Sequence, residues 1–188
     1  MKHLLATYFL YAQDPAAGVR RLLERRSFRQ ACLGYFVAAL GWVLFFNIGD
    51  RLSLFTLFFK LLIVFAAEVT AGYFVAALCG LFLDLRRVKV SSAQLFVLVG
   101  SAGFLNALLI ACALIGATFA GVHWGALMPL VVLSLWILKL IYLVRGLQHA
   151  WHVNVGDAIG AWLFGLVPVC AAFSLGAIFL IWFLVLLV

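Results

Sequence analysis

The sequence predicts an all-α integral membrane protein. Five transmembrane helices follow an N-terminal amphipathic interfacial helix, with the N-terminus in the cytoplasm and the C-terminus across the membrane. Three observations carry this reading. Of the 188 residues, 68% are hydrophobic and 10% are charged, against about 45–50% apolar and about 25% charged in an ordinary soluble domain. Five runs are long enough to cross about 30 Å of hydrocarbon, which takes about 20 apolar residues. The basic residues collect in alternate connections, as short cytoplasmic loops do. With a mean hydropathy of +1.24, the chain has too little charge to coat an aqueous core, so lipid is its solvent. It divides into a cytoplasmic or interfacial segment, 1–29, and a five-helix transmembrane domain, 30–188.

The front segment does not read as a cleaved signal peptide. Its apolar run Leu4–Ala12 leads into Asp14-Pro15 and then arginines, with no small-residue cleavage site. The chain is therefore expected to begin at or near Met1. Asp14 is placed to cap a helix with Pro15 in its first position, and Ala16, Val19, Leu22 and Leu23 share one face. Arg20, Arg21, Arg25, Arg26 and Arg29 fall largely on the other side, with Glu24 four residues after Arg20. Such a helix would rest on anionic lipid headgroups, each nearby cation adding about 1 kcal/mol. The same arginines would also enforce topology. Either use accounts for the net charge of +7 without a nucleic-acid partner.

The first span is expected at Gln30–Ile48, ended by the turn-like Asn47-Ile48-Gly49-Asp50. The second lies within Leu52–Leu83, the third covers Ala93–Phe119, the fourth Ala126–Val144 and the fifth Ala158–Val188. Ser91-Ser92-Ala93-Gln94 has the form of a capping box. Asn154 and Asp157 are ready N-caps for the fifth span, and Pro168 is expected to kink it. Orientation follows from Arg86, Arg87 and Lys89 between spans two and three, and from Arg145 and Lys139 near the end of span four. The opposite side offers Arg51, balanced by Asp50, and the neutral Gly121-Val122-His123.

The layout resembles the Yip family, five-span proteins named for interaction with Ypt/Rab-type GTPases, in its short bacterial form. Three stretches carry the resemblance: Tyr11-Ala12-Gln13-Asp14-Pro15; Glu68 to Leu83, EVTAGYFVAALCGLFL, before a basic loop and Ser-Ser-Ala-Gln; and Leu135 to Pro168, with its aromatic-led helix, histidine-bearing Gly-Leu turn and small-residue restart. The resemblance implies a multi-pass protein of a bacterial cytoplasmic membrane. Trafficking members carry a long cytoplasmic N-terminal region, whereas about thirty residues precede the first span here, so a GTPase-binding role is not carried over.

Two ionisable residues sit in the second span. That run would extend for about 48 Å, well beyond the hydrocarbon. Lys60 is then expected near the outer headgroups, where its stem snorkels to water. Glu68 lies deeper and should face the bundle, protonated or hydrogen-bonded. Depth counting groups it in a buried polar cluster with Asn106, Ser134 and Ser174, either as a structural clasp between helices or as a proton or solute path. Small residues at four-residue spacing, above all Gly72, Ala76 and Gly80, form a helix-packing face for internal use or for another membrane protein.

His149, His152 and Asp157 fall short of a metal site, and no cofactor or metal is expected. Cys32, Cys79, Cys112 and Cys170 lie in apolar runs without ligand spacing and read as small hydrophobes. Trp136, Tyr142, Trp151 and Trp162 fit membrane belts or packing. Walker, Rossmann, H-E-x-x-H and G-x-S-x-G motifs are absent. The sequence therefore points to a non-enzymatic organiser or partner-binding protein of the membrane, contacting lipids and another membrane protein or itself. The alternative is a small transporter, channel or lipid-handling protein centred on Glu68.

Overall fold

The computed structural model describes Leu23 and residues 28–48, 53–118 and 124–187. Every regular element among them is helical: α1 (Phe28–Phe46), α2 (Leu54–Leu85), α3 (Ser92–Ala102), a 3₁₀ turn (Gly103–Asn106), α4 (Ala107–Thr118), α5 (Trp124–Trp151) and α6 (Val155–Leu187). The third span comprises α3, the 3₁₀ turn and α4. Among the described residues, five helical runs are long and apolar enough to cross a bilayer, which makes this a polytopic membrane protein.

Most of the expected interfacial helix, including Arg20, Arg21, Arg25 and Arg26, lies outside the described residues, as do Asp50, Arg51 and the 119–123 connection. Leu23 is helical and buried in the main core. Arg29 stands exposed in the first turn of α1.

α5 departs most from its expected limits. It runs seven residues past Val144, through Arg145 and His149, to Trp151. A window of composition stops at the first charges, but the apolar face does not: Leu143, Val144 and Leu147 are all buried, and Gly146 fits against Leu98 of α3. Lys139 therefore lies twelve residues inside the end of its helix, about 18 Å along the axis. Its expected place near the end of the span is corrected accordingly.

The third span is interrupted where it meets α1. Side chains on Gly34 or Gly103 would collide with the backbone of the facing helix, and a Cβ on Gly41 would lie 2.5 Å from the carbonyl oxygen of Asn106. In lipid such close backbone approach replaces the hydrophobic drive to associate. The chain tightens locally to 3₁₀ geometry along this seam.

The helix ends have local causes. Ser53 caps α2 by accepting from the Thr56 N–H at 3.1 Å. At α3 the Ser91 side chain makes no cap bond. Its backbone carbonyl instead accepts from the Gln94 N–H at 2.9 Å, so the expected side-chain capping box is not formed. Asn154 accepts from the Asp157 N–H at 2.7 Å and donates to the Asp157 carboxylate at 2.8 Å; Asn154 is the cap of α6, and Asp157 sits in its first turn. α2 ends with Arg87 left-handed, at φ 62°. The Val88 N–H reaches Leu83 O and the Arg87 N–H reaches Asp84 O, both at 2.9 Å. This pairing satisfies the last carbonyls and folds Val88 back onto Leu83.

The main core joins α2, α3, α5 and α6 and includes Trp162. Smaller clusters join α1 to α3 through Tyr35 and Val97, and α1 to α4 and α5 through Phe45, Leu109 and Leu135. Beyond Val169, every described side chain of α6 is exposed.

Candidate functional site: a charged cavity within the membrane domain

α2 packs on α1, α3 and α6 but does not pack appreciably on α5. A cavity of about 400 Å³ intervenes, with walls from all five spans. Its lining is predominantly apolar, with tryptophans from α1, α5 and α6. Its one carboxyl and one amine are Glu68 from α2 and Lys139 from α5. Tyr35 of α1 lines the same cavity.

Lys60 and Glu68, on the same helix, meet different surroundings. Lys60 donates to the Asn47 side chain at 2.6 Å, and Asn47 in turn donates to Val43 O at 2.7 Å. Lys60 is thereby tied to the turn that ends α1. Glu68 lies eight residues further along α2, about 12 Å deeper. No hydrogen bond or ion pair within 4 Å joins it to any described residue, and the same holds for Lys139; the ion pair among the described residues is Arg86–Asp157, at 3.4 Å.

Magnitudes show why this pair is unusual. A charged side chain at the centre of a membrane helix costs about 2.5–3.5 kcal/mol to insert, so two cost about 5–7. Two unit charges more than 4 Å apart gain less than about 4 kcal/mol at the effective dielectric of protein sites. At the centre of a bilayer, such attraction would not offset both insertions. Retaining both groups on one cavity marks the place as a site by default.

The depth-based grouping does not describe the surroundings of Glu68. Asn106 is fully buried, but against α1, where its Nδ2 donates to Ala38 O at 3.5 Å while its Oδ1 has no partner. Ser134 and Ser174 are exposed on α5 and α6. None of the three lines the cavity. Counting rise along a helix gives height and leaves azimuth undetermined, and these residues point elsewhere. A polar clasp between spans does occur, at Ser101, whose hydroxyl donates to Leu98 O at 2.7 Å and pairs with the Tyr142 hydroxyl at 2.9 Å.

The Gly72-Ala76-Gly80 face is filled from within. Tyr35 of α1 occupies the space beside Gly72, Ala76 is buried, and Ser92 and Leu95 of α3 close over Gly80. Tyr35 itself donates to Phe96 O at 3.2 Å, so one aromatic links three spans beside the cavity. At the basic end, the Asp157 carboxylate is engaged by Asn154 and Arg86, and His149 and His152 are exposed. Among the described residues, no three His, Cys, Asp or Glu side chains converge.

Lys139 and Trp162 are the site residues that sequence reasoning passed over. In the sequence, Lys139 carries the pattern of a topology-setting charge and Trp162 that of a belt or packing residue. Trp162 is buried on the cavity wall, with its indole N–H unpartnered. The signal for Lys139 is an ionisable residue inside a span, visible once α5 is known to continue to Trp151.

Fold and cavity together define a polytopic membrane protein with one carboxylate and one amine facing a shared apolar chamber. No family model, curated protein or solved structure matches the chain.

Proposed function

We propose that this protein binds a small amphipathic molecule inside the membrane and acts in its transport or handling. Glu68 and Lys139 are the recognition groups. The supporting observation is the roughly 400 Å³ cavity that carries both charges on an otherwise apolar wall, a volume within the range of about 300–1,000 Å³ that ligand sites occupy. The reading is non-enzymatic, in keeping with the absence of hydrolase and nucleotide motifs. The basic residues of the alternate connections support an orientation with the N-terminus in the cytoplasm. A bacterial cytoplasmic membrane as its location rests on the Yip resemblance alone.

The test is binding in nanodiscs, followed through the fluorescence of the cavity tryptophans. A single-tailed amphiphile should quench or shift the emission saturably, and Ala67→Phe, which fills the chamber from α2, should abolish the response. Emission that does not saturate, or is unchanged by Ala67→Phe, overturns the reading.

A second reading, an organiser that pairs with another membrane protein or with itself, is favoured by α6. From Cys170 to Phe179 every side chain is exposed, and Gly176 has nothing within 4 Å of where a Cβ would stand. Crosslinking through cysteines placed on this segment tests it; the Gly72 face is already occupied within the chain.

A further inference from the structure

The cavity carries a constraint on its occupant that volume alone does not. Glu68 and Lys139 face it from α2 and α5, outside ion-pair distance of one another and without any hydrogen-bonded partner among the described residues. A purely cationic occupant would compensate Glu68 and leave Lys139 bare. A purely anionic one would do the reverse. A neutral occupant would compensate neither, and across more than 4 Å the two groups offset only part of one another's several-kcal/mol penalty.

We propose that the cavity takes a zwitterionic single-tailed amphiphile, its cationic group against Glu68, its anionic group against Lys139 and its tail along the apolar wall. This rests on the reading of the cavity as a ligand site and narrows it to a chemical class. Two further features fit that class. Trp162 presents an indole in the wall whose buried N–H has no partner, a donor available to the anionic group. Trp42 and Trp136 also line the chamber, and aromatic faces favour a cationic group desolvated beside them. The remaining wall is aliphatic or aromatic and suits an alkyl chain.

The experiment compares four decyl-chain probes on the wild-type protein in nanodiscs: 2-aminodecanoic acid, decanoate, decylammonium and decanol. The amino acid should bind at least about tenfold more tightly than either singly charged probe. Glu68→Gln should erase its advantage over decanoate, and Lys139→Gln its advantage over decylammonium. The wild-type ranking stands without either variant, so a misfolded variant does not remove the test. If all four probes bind alike and Ala67→Phe abolishes them all, the zwitterion inference falls while the ligand-site reading survives. If no probe binds saturably, both fall. Lysophosphatidylethanolamine offered from the bilayer separates two sources of the same chemistry: displacement of the amino acid assigns the occupant to the lipid phase, and failure to displace it assigns it to water.

Discussion

Tyr35 of α1 stands in the space that a side chain at Gly72 of α2 would need, with its hydroxyl nearest. The same hydroxyl donates to Phe96 O of α3, so three spans share one contact at the cavity wall. Gly72→Ala should therefore destabilise the protein by about 1–3 kcal/mol through overpacking, read as a lowered midpoint of thermal unfolding in detergent. Gly176→Ala, on the open part of α6, should be neutral or stabilising by up to about 1 kcal/mol. Equal effects at the two positions would contradict the packing described.

The Glu68–Lys139 pair makes a separate prediction for the protein without ligand. Glu68→Gln alone leaves an uncompensated amine, and Lys139→Gln alone leaves an uncompensated carboxylate. Changing both should cost less than the sum of the single changes, with a coupling of about 0.5–3 kcal/mol in a double-mutant cycle of unfolding. Strict additivity would show that the two charges do not act on one another.

The seam between α1 and the third span should be intolerant of bulk. Gly34→Leu drives a side chain into the backbone at Gly100, and no rotamer relieves a collision with main-chain atoms. Size-exclusion chromatography should show loss of the monodisperse protein. Gly156→Ala should be tolerated, because its Cβ would meet nothing closer than the Asn154 side chain at 3.5 Å, and it should gain up to about 1 kcal/mol from helix propensity.

At the basic end, Asn154→Ala removes the cap of α6 and should cost about 0.5–2 kcal/mol in unfolding experiments. Arg86→Ala should cost less. Its side chain is 59% exposed, and an exposed ion pair contributes about 0.2–1 kcal/mol, diminishing as salt is raised. A loss at Arg86 that is large and independent of salt would assign its role to the Phe82 ring it also covers.

Topology is tested with reporters at the two ends. Alkaline phosphatase fused after Val188 should be active in an exported position, and the same enzyme fused before Met1 should be inactive. Activity at both ends or at neither would break the five-span orientation.

Much of this architecture is legible in the linear chain because lipid imposes a simple rule. Every backbone polar group of a span must be satisfied within the helix, so a run of about 20 apolar residues has one outcome. Local chemistry adds the cap of α6: Asn154 accepts from the Asp157 N–H three residues on and needs no tertiary partner for it. The Ser91 box fails in its side-chain half for the converse reason, since its backbone carbonyl already serves the Gln94 N–H. Gly34 and Gly41 are seven residues apart and lie outside the four-residue pattern of small residues, so only the packing reveals the seam they form.

By itself, then, the sequence determined that this chain lives in a bilayer, how many helices cross it, and that Glu68 lies too deep to be ignored. Only the tertiary structure decided which residues share the space around Glu68. Hydropathy and rise per residue report position along a helix axis, whereas a cavity is made by the rotation of each helix about that axis and by what packs beside it. Ser134 and Ser174, placed with Glu68 by height, face outward. Lys139 lies well inside the span because α5 continues past the charges through the buried Leu147 to Trp151, and its place on the cavity wall follows from the rotation of that helix.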